Sequence, residues 1–172
     1  MNELLTENIN FKSLATQTKY LQNSIDIETD DCLFIMIDIQ ERFKEIIHEF
    51  DDMVKNADIL NRSAELLNIP LIVTEHVSDK LGHTIQELYV PESTIMFEKR
   101  MFSIFNDEIT NCVEKLAKPI LVFYGIEAHI CVLQSCLDAI KKGFQVILVA
   151  DAISSRKEYS KKIAIKMLGN SA

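Results

Sequence analysis

Glycine and proline are scarce in this chain, at four and three residues of 172. That scarcity of breakers, with 48% apolar and 26% charged residues, excludes disordered and fibrous classes and indicates a globular chain. Positive charge is also short. Eighteen Lys and Arg against 26 Asp and Glu leave a formal net charge of −8. Nucleic acid and anionic membrane are therefore not expected as partners. No apolar run approaches the length that spans a bilayer. The four cysteines (Cys32, Cys112, Cys131 and Cys136) form no CxxC pair and show no zinc spacing. The first thirty residues lack an apolar signal core, and their acids and missing arginines disfavour a mitochondrial presequence. The expectation is a reduced, soluble, cytoplasmic protein.

The length suits one domain with a sizeable core. Four apolar runs rich in β-branched residues read as strands: 32–37, 69–73, 120–124 and 145–150, with a weaker one at 94–97. Being nearly continuous, they predict strands buried on both faces, as in a parallel sheet. Helical patterns lie between and after them, at Met53–Asn68, Asp107–Ala117, Ala128–Lys142 and Lys157–Leu168. Strict alternation implies right-handed crossovers and a three-layer α/β/α sandwich with a mostly parallel, Rossmann-like sheet. The domain is placed at residues 31–172. Residues 1–30 form an N-terminal extension with a loose helical pattern at Phe11, Leu14, Leu21 and Ile25; a frayed arm, a docking helix and a dimer contact all fit it.

In a parallel sheet all carboxyl ends share the edge where ligands bind. Asp38 follows the first strand, Lys99 the weak one, and Cys131 sits six residues beyond Gly125. A carboxylate, an ammonium and a thiol are thus expected to converge. Cys131 falls in the first turn of the next helix, where free N–H groups and the helix dipole favour thiolate over thiol. Lys99 would hold that thiolate, and Asp38 would take the thiol proton and return it to the leaving group. Standing alone, Asp38 would read as a turn cap and Lys99 as a solvated charge.

The quoted residues resemble the isochorismatase-like cysteine hydrolases, nearest to the eukaryotic isochorismatase-domain group. The matching pieces are Ile37-Asp38-Ile39-Gln40 with Phe43, Lys99 to Phe105, Gly125 to Val132, and Asp151-Ala152. Thr74 to Thr84 is similar to that group's T-E-x…L-G-x-T loop. The resemblance implies Cys131 as nucleophile, Asp38 as general base and Lys99 as charge partner. It also implies a cis peptide at Ile126–Glu127, which would turn the Glu127 N–H, with that of Cys131, toward a developing oxyanion. The implied activity is hydrolysis of a small amide or related C–N bond through an acyl-enzyme, without metal or organic cofactor.

Three departures stand out. Nicotinamidases carry a D-x-H metal motif where this chain has Thr74-Glu75-His76, so no metal is expected and nicotinamide is a poor guess. Ala128 stands where many relatives have threonine. Relatives also continue with a further strand and helix, whose lack here would expose a sheet edge that a partner chain could cover; a homo-oligomer is expected. Two rival functions remain: vinyl ether hydrolysis of the isochorismatase type without the cysteine, and a non-catalytic binding or assembly module. His76, Phe43 and Phe102 are candidate substrate contacts, the two phenylalanines being equally good core residues. His76 and His83 are alternatively part of a metal site. His129 invites a Cys–His dyad, although its apolar neighbours point it elsewhere.

Overall fold

Six consecutive apolar residues, Cys32–Ile37, form β1, and all six are buried. They are buried because β1 is the centre of the sheet, with β2 (Leu71–His76) on one side and β4 (Ile120–Gly125) on the other. β3 (Ile95–Lys99) and β5 (Gln145–Ile153) complete the order β3-β2-β1-β4-β5, and every pairing is parallel. The computed structural model describes residues 27–169. The helical pattern at Phe11, Leu14, Leu21 and Ile25 lies outside the described residues.

The helices are α1 (Phe50–Leu66), a single turn α2 (Ser78–Leu81), α3 (Asp107–Leu116), α4 (Leu133–Lys141) and α5 (Glu158–Gly169). They flank the all-parallel sheet as expected. α1 is tied through Asn61, which accepts the Tyr124 hydroxyl at 2.7 Å and donates to the Tyr89 carbonyl at 2.7 Å. Asn106 caps α3 by accepting the Ile109 N–H at 2.8 Å. No helix among the described residues is long and apolar enough to cross a membrane.

Burial grades outward from the centre. β4 is buried throughout, β3 alternates, and β5 is half-exposed along Val146 to Val149. Among the described residues no strand pairs with the outer side of β5. The strand order reverses between β1 and β4, since the chain first builds β2 and β3 on one side and then β4 and β5 on the other. Carboxyl ends that diverge at such a reversal leave the crevice where α/β proteins bind ligands. Asp38 leaves β1 there, and the Gly125–Cys131 segment leaves β4.

A candidate active site at the reversal of the sheet

Asp38 adopts a left-handed backbone, φ 53°, which turns it off the end of β1. Aspartate tolerates that region better than most side chains. Its N–H donates to the Thr74 carbonyl at 3.0 Å, and Oδ1 accepts from Thr74 Oγ1 at 2.7 Å. Its Oδ2 accepts from Lys99 Nζ at 2.6 Å. Both charged side chains are essentially removed from water. An ion pair so buried persists only with its remaining valences satisfied. Lys99 meets that condition by donating also to the carbonyls of Met101 at 3.2 Å and Phe102 at 3.3 Å.

His76 lies opposite Lys99 in the β2–β3 register, with Nδ1 3.4 Å from Nζ. An ammonium offers only protons, so Nδ1 accepts from Lys99 in the tautomer that carries its proton on Nε2. Burial, then the Lys99 charge, hold the imidazole below its ordinary range and keep it neutral near pH 7. The ring stacks with Phe102, centroids 6.0 Å apart and 21° from parallel. Phe102 is 58% exposed, so of its two sequence roles the core one is excluded. Phe43 ends a short 3-10 turn, Glu41–Phe43, and packs half-buried against the core.

Gly125 ends β4 with φ +115°. A Cβ there would lie 2.1 Å from the Ile37 carbonyl oxygen, so the close approach of β4 to β1 requires glycine. The Ile126–Glu127 peptide bond is cis. The next segment, Ala128–Val132, is a π turn that leads into α4. A single α-helix over Ala128–Lys142 is therefore corrected: the Val132 N–H reaches the Glu127 carbonyl at 3.3 Å, a wide turn that carries Cys131 inward.

Cys131 is 8% exposed, and ligand atoms of Cys131, Asp38 and His76 all lie within 4.8 Å of one another. Burial works against the thiolate expectation in the resting protein. Burial pushes the Cys131 thiol up to about 12; the Asp38 charge adds to the rise, and the Lys99 charge opposes it. The physical reason is cancellation: with carboxylate and ammonium paired, little net positive field is left to offset desolvation. The thiol is held protonated beside a carboxylate that can accept its proton.

Asp38, His76 and Cys131 also form a set of metal-ligating types. The Lys99 ammonium, bonded to Asp38 and 3.4 Å from His76 Nδ1, already supplies the positive charge at this cluster. Thr74, where nicotinamidases carry an aspartate ligand, spends its hydroxyl on Asp38. His83 pairs with Glu75 at 2.9 Å, and His129 Nδ1 contacts Ser155 Oγ at 3.0 Å.

Three supporting residues escaped the sequence reading. Thr74 orients Asp38. Gln40 is fully buried, accepts the His76 N–H at 2.7 Å and donates to the carbonyls of His76 at 3.2 Å and Gly82 at 2.6 Å, clasping the loop after β2. Ser135 bridges the nucleophile turn to the segment after β3. Gln40 stood in the D-x-Q element, and Ser135 lies one helical turn beyond Cys131; those are the signals that could have found them.

An all-parallel sheet in this order, with carboxylate, ammonium and thiol at its carboxyl edge, defines a hydrolase-type α/β sandwich. The chain belongs to the isochorismatase family, whose Isochorismatase domain model matches residues 32–172. It is 34% identical to isochorismatase domain-containing protein 1 of Salmo salar, over 91% of this chain and 55% of that protein. It is 31% identical to isochorismatase family protein 1A of Dictyostelium discoideum, over 85% of this chain and 74% of the relative. A solved structure described as MAR1 ribonuclease from Caenorhabditis elegans superposes with a TM-score of 0.81 at 32% identity, covering 85% of this chain and 76% of that one. The chain spans about half the length of the isochorismatase domain-containing protein 1 relatives of Salmo salar and Danio rerio.

Proposed function

We propose that this chain is a cysteine-dependent hydrolase of a small amide or related C–N bond. The observation that carries the proposal is the meeting of Cys131 with the buried Asp38–Lys99 pair, the carboxylate 2.6 Å from the ammonium and within 4.8 Å of the thiol. As Cys131 Sγ attacks the carbonyl carbon, its proton passes to Asp38. Proton transfer accompanying attack suits a thiol that burial keeps neutral until then. The oxyanion faces the N–H groups of Glu127 and Cys131, and Lys99 stabilises the negative charge nearby. The amine departs with the proton from Asp38, leaving a thioester on Cys131. Asp38 then deprotonates a water that attacks the thioester, and the thiol and a carboxylic acid are released. His76 and Phe102, with Phe43, form the proposed substrate contacts.

A slim, uncharged substrate is supported by the 8% exposure of Cys131 and by the cancelling charges around it. The formal net charge of −8 argues against a polyanion, whatever the C. elegans neighbour acts on. A reducing, cytoplasmic setting is supported by four free cysteines. Self-association is supported by the half-exposed apolar run of β5. The test is Cys131→Ala: turnover disappears while the fold persists. Activity lost in Asp38→Ala but retained in Cys131→Ala would select the vinyl ether chemistry instead.

A further inference from the structure

Ser135 is fully buried, and its hydroxyl is used in both directions. Oγ donates to the Cys131 carbonyl at 2.6 Å and accepts the Ile104 N–H at 3.1 Å. Ile104 is itself fully buried. It lies two residues beyond Phe102 and three beyond Met101, whose carbonyls ligate the Lys99 ammonium. A continuous chain of contacts therefore runs from Lys99 through the segment after β3 to Ile104, across Ser135, and into the peptide of the nucleophile. The two halves come from opposite sides of the sheet's centre, β3 on one side of β1 and β4 on the other, and Ser135 joins them directly.

We infer that Ser135 is a positioning residue that fixes the Lys99 ammonium relative to Cys131. It acts through backbone atoms on both sides and touches no reacting atom. The inference rests on the proposed cysteine chemistry for its purpose, yet its geometry is tested without turnover. Serine's bond to the carbonyl four residues back bends a helix locally, which matches its place just beyond the π turn. Removing Oγ leaves a buried N–H without its acceptor and frees the Lys99 segment to shift.

The test is alkylation of Cys131 by iodoacetamide at fixed pH, read residue by residue with mass spectrometry, in a double-mutant cycle. Ser135→Ala is expected to slow Cys131 alkylation about tenfold, the scale of one buried hydrogen bond. Lys99→Met slows it as well. If Ser135 acts through Lys99, the double variant is no slower than Lys99→Met alone. Ser135→Thr, which keeps the hydroxyl, restores the rate. An unchanged rate in Ser135→Ala overturns the inference, and so do losses that multiply in the double variant. Should Ser135→Ala fail to fold, Ser135→Cys takes its place in the cycle, its weakly bonding thiol scored at its own site. Turnover surviving in Cys131→Ala refutes the cysteine-dependent reading and leaves this cycle standing, so the two failures are distinct.

Discussion

Replacing Asp38 by asparagine separates two roles that a single carboxylate holds. The amide side chain keeps an oxygen for the Thr74 hydroxyl or for Lys99, but the negative charge is gone and the ammonium stands unpaired. Within 4.8 Å of the thiol, one unit of charge at an effective dielectric near 20 amounts to about 3 kcal/mol. That is about a hundredfold in thiolate population. Because the Asp38 charge raises the Cys131 thiol and the Lys99 charge lowers it, both consequences of the substitution run the same way. Iodoacetamide should therefore label Cys131 about a hundredfold faster in Asp38→Asn than in the wild type at pH 8. Turnover should move oppositely, falling by about 10² or more because the proton has no acceptor. Cys136, buried one turn further along, serves as the control for unfolding. Labelling no faster than in the wild type would show that Asp38 does not sit against the thiol in solution, and the reasoning would fail.

Further outcomes follow from the same contacts. Thr74→Val removes the hydroxyl bond to a buried carboxylate and should lower stability by about 1.5–3 kcal/mol in urea titrations. Gly125→Ala places a methyl 2.1 Å from the Ile37 oxygen and should cost more than about 4 kcal/mol, seen as loss of soluble protein. His76 at the end of β2 and His83 in the loop beyond it should oppose each other with pH. His76 is held low by burial and Lys99, so the folded state binds fewer protons than the unfolded one; its contribution is complete above the unfolded value and is lost as pH falls through the folded one. His83 is held high by its bond to Glu75, so its contribution is present below the unfolded value and is lost as pH rises through the folded one. Urea midpoints at pH 5.5 and 7.5 should therefore flatten in His76→Gln and steepen in His83→Gln.

The sheet was legible where burial is complete. β1 and β4 are uninterrupted apolar runs, and the buried centre of a parallel sheet has no other composition available. The edges were harder. β2 runs on through Thr74, Glu75 and His76, polar residues that read as a loop, because each finds a specific partner: Asp38, Thr84 and the Gln40 side chain. β5 likewise runs on through Asp151 and Ala152 to Ile153, where Ile153 pairs with Gly125. Within the site, the sequence brought Asp38, Lys99 and Cys131 to one edge. It missed the burial of the thiol, because the dipole argument belongs to an exposed helix end, whereas the π turn buries Cys131 beside a paired carboxylate and ammonium. The roles of Thr74, Gln40 and Ser135 went unread for a common reason. Each acts through a hydrogen bond to a segment distant in sequence or to a backbone carbonyl, and neither leaves a periodic trace.

The central claim is covalent chemistry at Cys131, and a panel of small primary amides and ureides tests it most directly. Ammonia release is followed alongside the intact mass of the protein. The account expects release from at least one member, an acyl adduct on Cys131, and neither in a folded Cys131→Ala. Release that persists unchanged in Cys131→Ala, or none from any amide with the wild type folded, would contradict it.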